Sequence, residues 1–280
     1  MGFTLLYAQS PLALADSLFH AGQYPEALSS YQALAFSSEM PDSTRLRALI
    51  GLARTYLTLH QPRSAAPWLA QAESLASSRL DTPALASCLT LRGFAAFLRQ
   101  QLSTAESLFT SVRALGFSRT TESYLNATLF LARLRLAQSA FASAEMLLEE
   151  ALTLTQAHGN LNLYAQSLSL QAQLCLLRGQ YLLAEKYLQT ALSLPTLSKP
   201  TQLNLLNTLG AVYLHRGELL RAEEIFQQLI QTIETTWPAQ PSRLAAYYNM
   251  AIILDQQGRY GEAEKYYRKA LALLLQQGDT

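Results

Sequence analysis

Apolar and polar positions follow a helical period along almost the whole chain, and no segment alternates with the period of a strand. In "LGAVYLHRGELLRAEEIFQQLI", residues 209–230, apolar side chains recur three and four residues apart on both sides of Gly217. That pattern predicts two helices joined by a turn. Gly210 is out of place in such a helix, because an interior glycine costs up to about 1 kcal/mol relative to alanine. A repeat explains it.

The context of Ala222 returns along the chain at Ala27, Ala65, Ala105, Ala144, Ala184 and Ala263, with successive spacings of 38 to 41 residues. Twelve residues before each of these anchors stand Ala15, Ala53, Gly93, Ala132, Ala172, Gly210 and Ala251, every one small. Four residues after them stand Tyr31, Leu69, Phe109, Leu148, Leu188, Phe226 and Tyr267, every one large and apolar. Small residues in the first column and at the anchor let two antiparallel helices approach closely, and the large residue fills the space between neighbouring pairs. Gly22, Gly179, Gly217 and Gly258 lie five residues before the anchor, as turn glycines at a helix C-terminus do. His60, Gln100 and Ser139 take that place in repeats two to four, which predicts less ideal turns there. Tyr24, Phe141, Tyr181 and Tyr260, three residues before the anchor, are expected to plug the turns.

Polar links such as "SSEMPDSTR" and "PTLSKPTQ" combine helix-capping residues with proline, and Ser10-Pro11 reads as an N-cap followed by proline at the first helical position. The predicted architecture is all-α: an α-α superhelix of about seven antiparallel helix pairs. It forms a single solenoid domain over residues 11–280, preceded by a leader or clipped signal remnant at 1–10.

"LGAVY" (209–213), "AEEIF" (222–226) and "GRYGEAEKYYRKAL" (258–271) resemble the tetratricopeptide repeat (TPR). The resemblance spans roughly residues 11–275, but the spacing near forty exceeds the usual period of about 34. It is similar to the extended repeats of kinesin light chains and of bacterial regulators with tetratricopeptide sensor regions. The resemblance implies a solenoid whose first helices form a concave surface that binds extended peptides or partner helices.

Helical spacing then selects the residues on that surface. Arg54, Phe94, Arg133, Gln173, Ala211 and Ile252 follow the small column directly. Positions three and six residues before the column complete a polar series of Arg47, Arg54, Asn126, Arg133, Gln166, Ser169, Gln173, Asn204 and Asn207, with Asn249 near the rim. Amides there can hydrogen-bond a peptide backbone, and arginines can take carboxylates bidentately. The same residues read equally well as an ordinary solvated helix face. Arg47, Arg54 and Arg133 are expected to line an electropositive strip suited to an acidic segment. The paired Lys and Asn of the chaperone-tail carboxylate clamp are not reproduced, so no chaperone tail is expected.

Composition removes other classes. Lys and Arg number 21 against 20 Asp and Glu, a net charge of +1 that argues against a nucleic-acid partner. Cys88 and Cys175 sit in apolar helical patterns and read as reduced core thiols. His20, His60, His158 and His215 have no metal-ligand spacing. The chain has no phosphate-cradling glycine loop and no nucleophile elbow. Glu149-Glu150 and Glu223-Glu224 are neighbours that point apart on a helix and read as a solvated face. Asn126 opens a glycosylation sequon inside a predicted helix and is discounted. No cofactor, metal or catalytic role is expected of this segment, and a catalytic domain would have to lie beyond it.

No run approaches the roughly 18 apolar residues of a membrane span. "FTLLYAQS" has two readings: a leader, which goes with a cytoplasmic protein, or the remnant of a secretory signal, which goes with an exported or periplasmic one. "ALALLLQQGDT" (270–280) carries three consecutive leucines that no later repeat covers. It points to a longer parent chain or to pairing of the last helix with another copy or a partner. Three functions fit: a non-catalytic interaction scaffold that binds a peptide or partner segment in its groove; the sensor or regulatory region of a larger bacterial signalling, transcription-regulator or peptidase protein; and a self-assembling structural module.

Overall fold

Ser10 opens the fold: its Oγ accepts a hydrogen bond from the Ala13 N–H at 3.2 Å, and Pro11 follows as the first residue of helix α1 (Pro11–His20). The structure, a computed structural model, describes residues 10–115, 118–236 and 242–278. The predicted leader lies outside these apart from Ser10, as does the end of the chain beyond residue 278. α1 pairs with α2 (Tyr24–Phe36), α3 (Asp42–Thr58) with α4 (Pro62–Ser78), and α5 (Thr82–Leu98) with α6 (Leu102–Ala114). The series continues with α7 (Glu122–Ala137) and α8 (Phe141–His158), then α9 (Leu161–Leu177) and α10 (Tyr181–Leu192). It ends with α11 (Lys199–His215) and α12 (Leu219–Thr236), then α13 (Ser242–Gln256) and α14 (Tyr260–Gly278). Among the described residues these are seven helix pairs and no strand.

Caps come from the links the sequence marks. Asp81 Oδ1 accepts from the Ala84 N–H at 3.0 Å, Asn160 accepts from Asn162 and Leu163, and Ser198 accepts from Thr201. Within each pair the turn is the same in all seven repeats. His60, Gln100 and Ser139 adopt φ of 59°, 62° and 57°, beside 72° to 80° for Gly22, Gly179, Gly217 and Gly258. Each turn closes with the same bond from the next N–H to a carbonyl five residues back, as in Gln61 to Tyr56 at 2.9 Å and Glu218 to Tyr213 at 2.9 Å. The turns of repeats two to four, expected to be less ideal, are so in residue type and not in geometry. The geometry is kept, and those three side chains carry the cost of a left-handed backbone instead.

Packing follows the three columns. Every anchor alanine is buried, and so is every residue of the small column. The large residue is buried in the first six repeats, whereas Tyr267 in the seventh is 37% exposed. In the interior, Gly93 faces Phe109 and Gly210 faces Phe226, while Ala53, Ala132 and Ala172 belong to repeats whose large residue is Leu69, Leu148 or Leu188. The turn aromatics divide: Tyr24 is buried against Phe19, with ring centroids 5.7 Å apart, but Tyr260 is 69% exposed and plugs nothing. Cys88 and Cys175 are free and buried, and burial pushes the Cys88 thiol up to about 12.

Two layers result. Each odd-numbered helix packs against the next odd-numbered one, from α1 on α3 through to α11 on α13. Among the described residues no even-numbered helix makes a comparable contact with another; α2 to α12 each lie between their own odd helix and the next, and α14 packs on α13. The continuous layer of odd helices is the inner, concave side, and the even helices splay on the outer side.

Candidate functional site

The residue after each small-column position is partly exposed in repeats two to seven: Arg54, Phe94, Arg133, Gln173, Ala211 and Ile252. One and a half turns before the column, Asn126 and Gln166 are partly exposed, and Arg47 and Asn204 are exposed. Asn249 is also partly exposed. These positions share the inner face of the odd helices and run along it from α3 to α13. Ser169 differs: it is buried beneath that face, although Asn207 and Tyr248 at the same register position are half-buried and exposed.

The expected strip of three open cations is not what the fold builds. Arg54 donates to Asp16 Oδ1 at 3.2 Å and to the Tyr31 hydroxyl at 3.0 Å, and its guanidinium lies 4.2 Å from the centroid of the Phe19 ring. Tyr31 donates to the same Asp16 oxygen at 2.5 Å, and Arg47 stands 3.8 Å from its other oxygen. Arg47 and Arg54 thus share one internal carboxylate. Burial pushes the Tyr31 phenol up to about 12, with the Asp16 hydrogen bond acting in the same direction.

Arg133 is different. Its guanidinium stands 5.7 Å from the Phe130 ring centroid and makes no ion pair or hydrogen bond with any described residue. Phe130 stacks on Phe94 at 4.8 Å and on Phe109 at 5.2 Å, so an aromatic floor continues from α7 to α5 and α6. Desolvation holds Arg133 below the usual arginine value. Burial, and then the charge of Arg133, lower the pKa of His60 at the α3–α4 turn. His20, at the end of α1, is lowered by burial and by Arg54, against opposing effects of Asp16 and Glu122.

In the C-terminal half, Asn204 is exposed and Asn207 half-buried, with the Asn207 Oδ1 buried and without a hydrogen-bond partner. Among the described residues no group of three or more His, Cys, Asp or Glu side chains is placed to hold a metal ion. Among them, too, no helix is long and apolar enough to cross a membrane.

Family models described as tetratricopeptide repeat match residues 12–79 and 201–276, the first two and the last two helix pairs. The chain belongs to the tetratricopeptide repeat family. The interior TPR pairs between those matches keep the same columns, turns and two-layer packing. Among solved structures, a Rap protein complexed with competence and sporulation factor superposes with a TM-score of 0.73 at 13% identity, over 96% of this chain and 75% of that one. The APC/C hetero-tetramer Cut9–Hcn1 gives 0.68 at 16%, over 94% of this chain and 46% of that one. A STAND-family ATPase with a tetratricopeptide repeat sensor from Pyrococcus horikoshii gives 0.55 at 15%, over 95% and 42%. The chain spans less than half the length of the last two. These likenesses establish the TPR solenoid fold. Among curated proteins nothing matches the sequence.

Glu150 and Glu223 are not the solvated face that the sequence suggests, and Glu223 belongs to a wider set. The glutamate after the anchor reaches forward to an arginine of the next repeat: Glu106 to Arg135, Glu145 to Arg178, Glu185 to Arg216 and Glu223 to Arg259. Glu223 is buried and also accepts from Gln257 at 2.8 Å, while Glu150 accepts from Tyr124 and Arg113 at 2.6 Å each. In each adjacent pair one carboxylate turns inward and the other, Glu149 or Glu224, stays exposed, since neighbours on a helix are about 100° apart. The signal was there in the sequence: a glutamate recurring at one register position with an arginine near the next turn.

Proposed function

We propose that the chain is a non-catalytic protein-interaction scaffold that holds an extended partner segment along the inner face of its odd helices. The carrying observation is the row of partly exposed side chains in one register from Arg54 to Ile252, on the side where the helices form a continuous layer. The groove polar set is Asn126, Arg133, Gln166, Gln173, Asn204, Asn207 and Asn249, while Arg47 and Arg54 shape its N-terminal end through Asp16. The fold accommodates ligands elsewhere, as in the Rap protein complexed with competence and sporulation factor. A regulatory role within a longer protein would use the same groove and alter only the consequence of occupancy.

The test is a peptide-display selection on the full chain, followed by binding to the Gln173→Trp variant. A bulky indole at this mid-groove position blocks the inner face, so selected peptides lose affinity. Retained affinity, with the variant folded, places binding elsewhere and refutes the reading.

A second reading has its own observation. Tyr248, Leu271, Leu274 and Leu275 are more than half exposed at the seventh repeat. In the sixth, Ile230 and Ile233, the counterparts of Leu271 and Leu274, are buried under the next pair. This apolar end supports self-association through α14. Sedimentation should show a concentration-dependent assembly that Leu271→Glu with Leu274→Glu disperses; a monomer at all concentrations refutes it.

A further inference from the structure

Arg133 stands apart from the other arginines of the helix layers. Arg47 and Arg54 have Asp16, Arg113 has Glu150, Arg135 has Glu106, Arg178 has Glu145 and Arg216 has Glu185. Arg63, Arg99 and Arg119 form no ion pair among the described residues either, but they are exposed, and Arg243, partly exposed at the start of α13, acts on the Glu234 carboxylate. Arg133 is half-buried on the inner face, with an aromatic ring beside it and no carboxylate. Taking a guanidinium out of water with no counter-charge is unfavourable, and a fold that retains one is poised for a partner anion.

We propose that Arg133 anchors a carboxylate of the bound segment, with the Phe94–Phe130 surface taking an apolar side chain beside it. The proposal rests on the groove reading above and narrows it to a site and a chemistry. The position is the middle of the inner face: α7 is the fourth of seven odd helices, and Phe94 occupies the equivalent register position one repeat earlier. The other two arginines of the row, Arg47 and Arg54, already have Asp16, so a bound anion meets in Arg133 the one guanidinium of that row without an internal counter-charge. One guanidinium balances one carboxylate in a bidentate fork; a phosphoester, with nearly two charges, calls for a cluster of cations that this surface does not supply. The stacked rings supply a flat apolar floor and exclude water from one side of the ion pair, which strengthens it.

The test uses display-selected peptides against the full chain, each synthesised with its acidic residues intact and with each one replaced by its amide. The expected binders carry Asp, Glu or a free C-terminus next to a bulky apolar residue. Arg133→Gln and the matching amide peptide should each lose about tenfold or more in affinity, and the two losses should not add. Arg119→Gln, an exposed cation before α7, should bind as the parent does. Arg133→Met should melt at or above the parent, because it removes an unpaired charge and breaks no ion pair. Peptides that keep their affinity for Arg133→Gln but are still blocked by Gln173→Trp overturn this assignment and leave the groove reading standing. Peptides indifferent to Gln173→Trp overturn both. A lowered melting temperature for Arg133→Met makes Arg133 a structural residue, and tighter binding of a phosphorylated peptide gives the site to phosphate; either result overturns the proposal.

Discussion

Gly210 and Phe226 form a matched pair: a Cβ on Gly210 would stand 2.7 Å from Phe226 Cε2 and 2.8 Å from Cζ. Gly93 and Phe109 repeat the relationship at 2.5 Å. Gly210→Ala should therefore destabilise by about 1–3 kcal/mol through overpacking, although alanine is the better helix former. Phe226→Leu added to it recreates the Ala–Leu combination of repeats two, four and five, and should recover part of that loss. Chemical denaturation of the two single variants and the double variant measures the coupling. Additive losses would mean that the glycine is not there for the ring.

Gln100 and Ser139 hold left-handed turns at φ of 62° and 57° without being glycine. Replacing either with glycine should stabilise by about 0.5–1 kcal/mol, the relief of side-chain strain offset by greater unfolded-chain freedom. The reverse change, Gly217→Ala at φ 75°, should destabilise. Denaturation midpoints decide it, and unchanged or lowered midpoints for the glycine variants contradict the account.

The inter-repeat carboxylates make a graded prediction. Glu185 accepts from Tyr213 at 2.9 Å and pairs with Arg216, whose side chain is 21% exposed. Glu185→Ala should cost about 1–3 kcal/mol by stranding the Tyr213 hydroxyl and leaving Arg216 with Glu218 alone. Glu264, the same register position in the last repeat, bonds Arg268 alone among the described residues, on its own exposed helix. Glu264→Ala should cost no more than about 0.5 kcal/mol. Equal costs would show that the bridges between repeats add nothing beyond a surface pair.

The histidines set one edge of the pH range. His20 and His60 are both held below 6.5, first by burial, so the folded chain takes up protons there less readily than the unfolded one. Their contribution to stability is complete above 6.5 and is lost as pH falls below that value. Glu145, lowered by hydrogen bonds from Arg178, and Glu234, lowered chiefly by Tyr247, add a second loss below 4.5. Melting temperature should fall in these two steps on acidification. By NMR, Arg133→Gln should raise the His60 value without restoring it fully to 6.5, because burial remains. An unchanged His60 titration would remove Arg133 from its surroundings.

The three columns made the helix pairs legible because close backbone approach admits only alanine or glycine, a constraint visible in any one repeat and unmistakable in seven. The inner face was legible as a register, since helical geometry alone puts Arg54, Arg133 and Gln173 on one side. What those side chains meet was not legible. Asp16 lies 38 residues from Arg54 in sequence, and nothing local announces that it neutralises Arg54 and leaves Arg133 without a partner. The turns at His60, Gln100 and Ser139 read correctly as less ideal, but their unchanged geometry was not legible: the packed helices on either side impose the turn, and local preference yields to them.

The central claim is that partner segments lie against the odd helices. Photo-crosslinking with a display-selected peptide, read by mass spectrometry, tests it most directly. The account predicts adducts at Phe94, Phe130, Arg133, Gln173 and Asn207, on α5, α7, α9 and α11. Adducts concentrated instead at Met146, Leu182 and Leu220, exposed apolar residues of the even helices α8, α10 and α12, would contradict it.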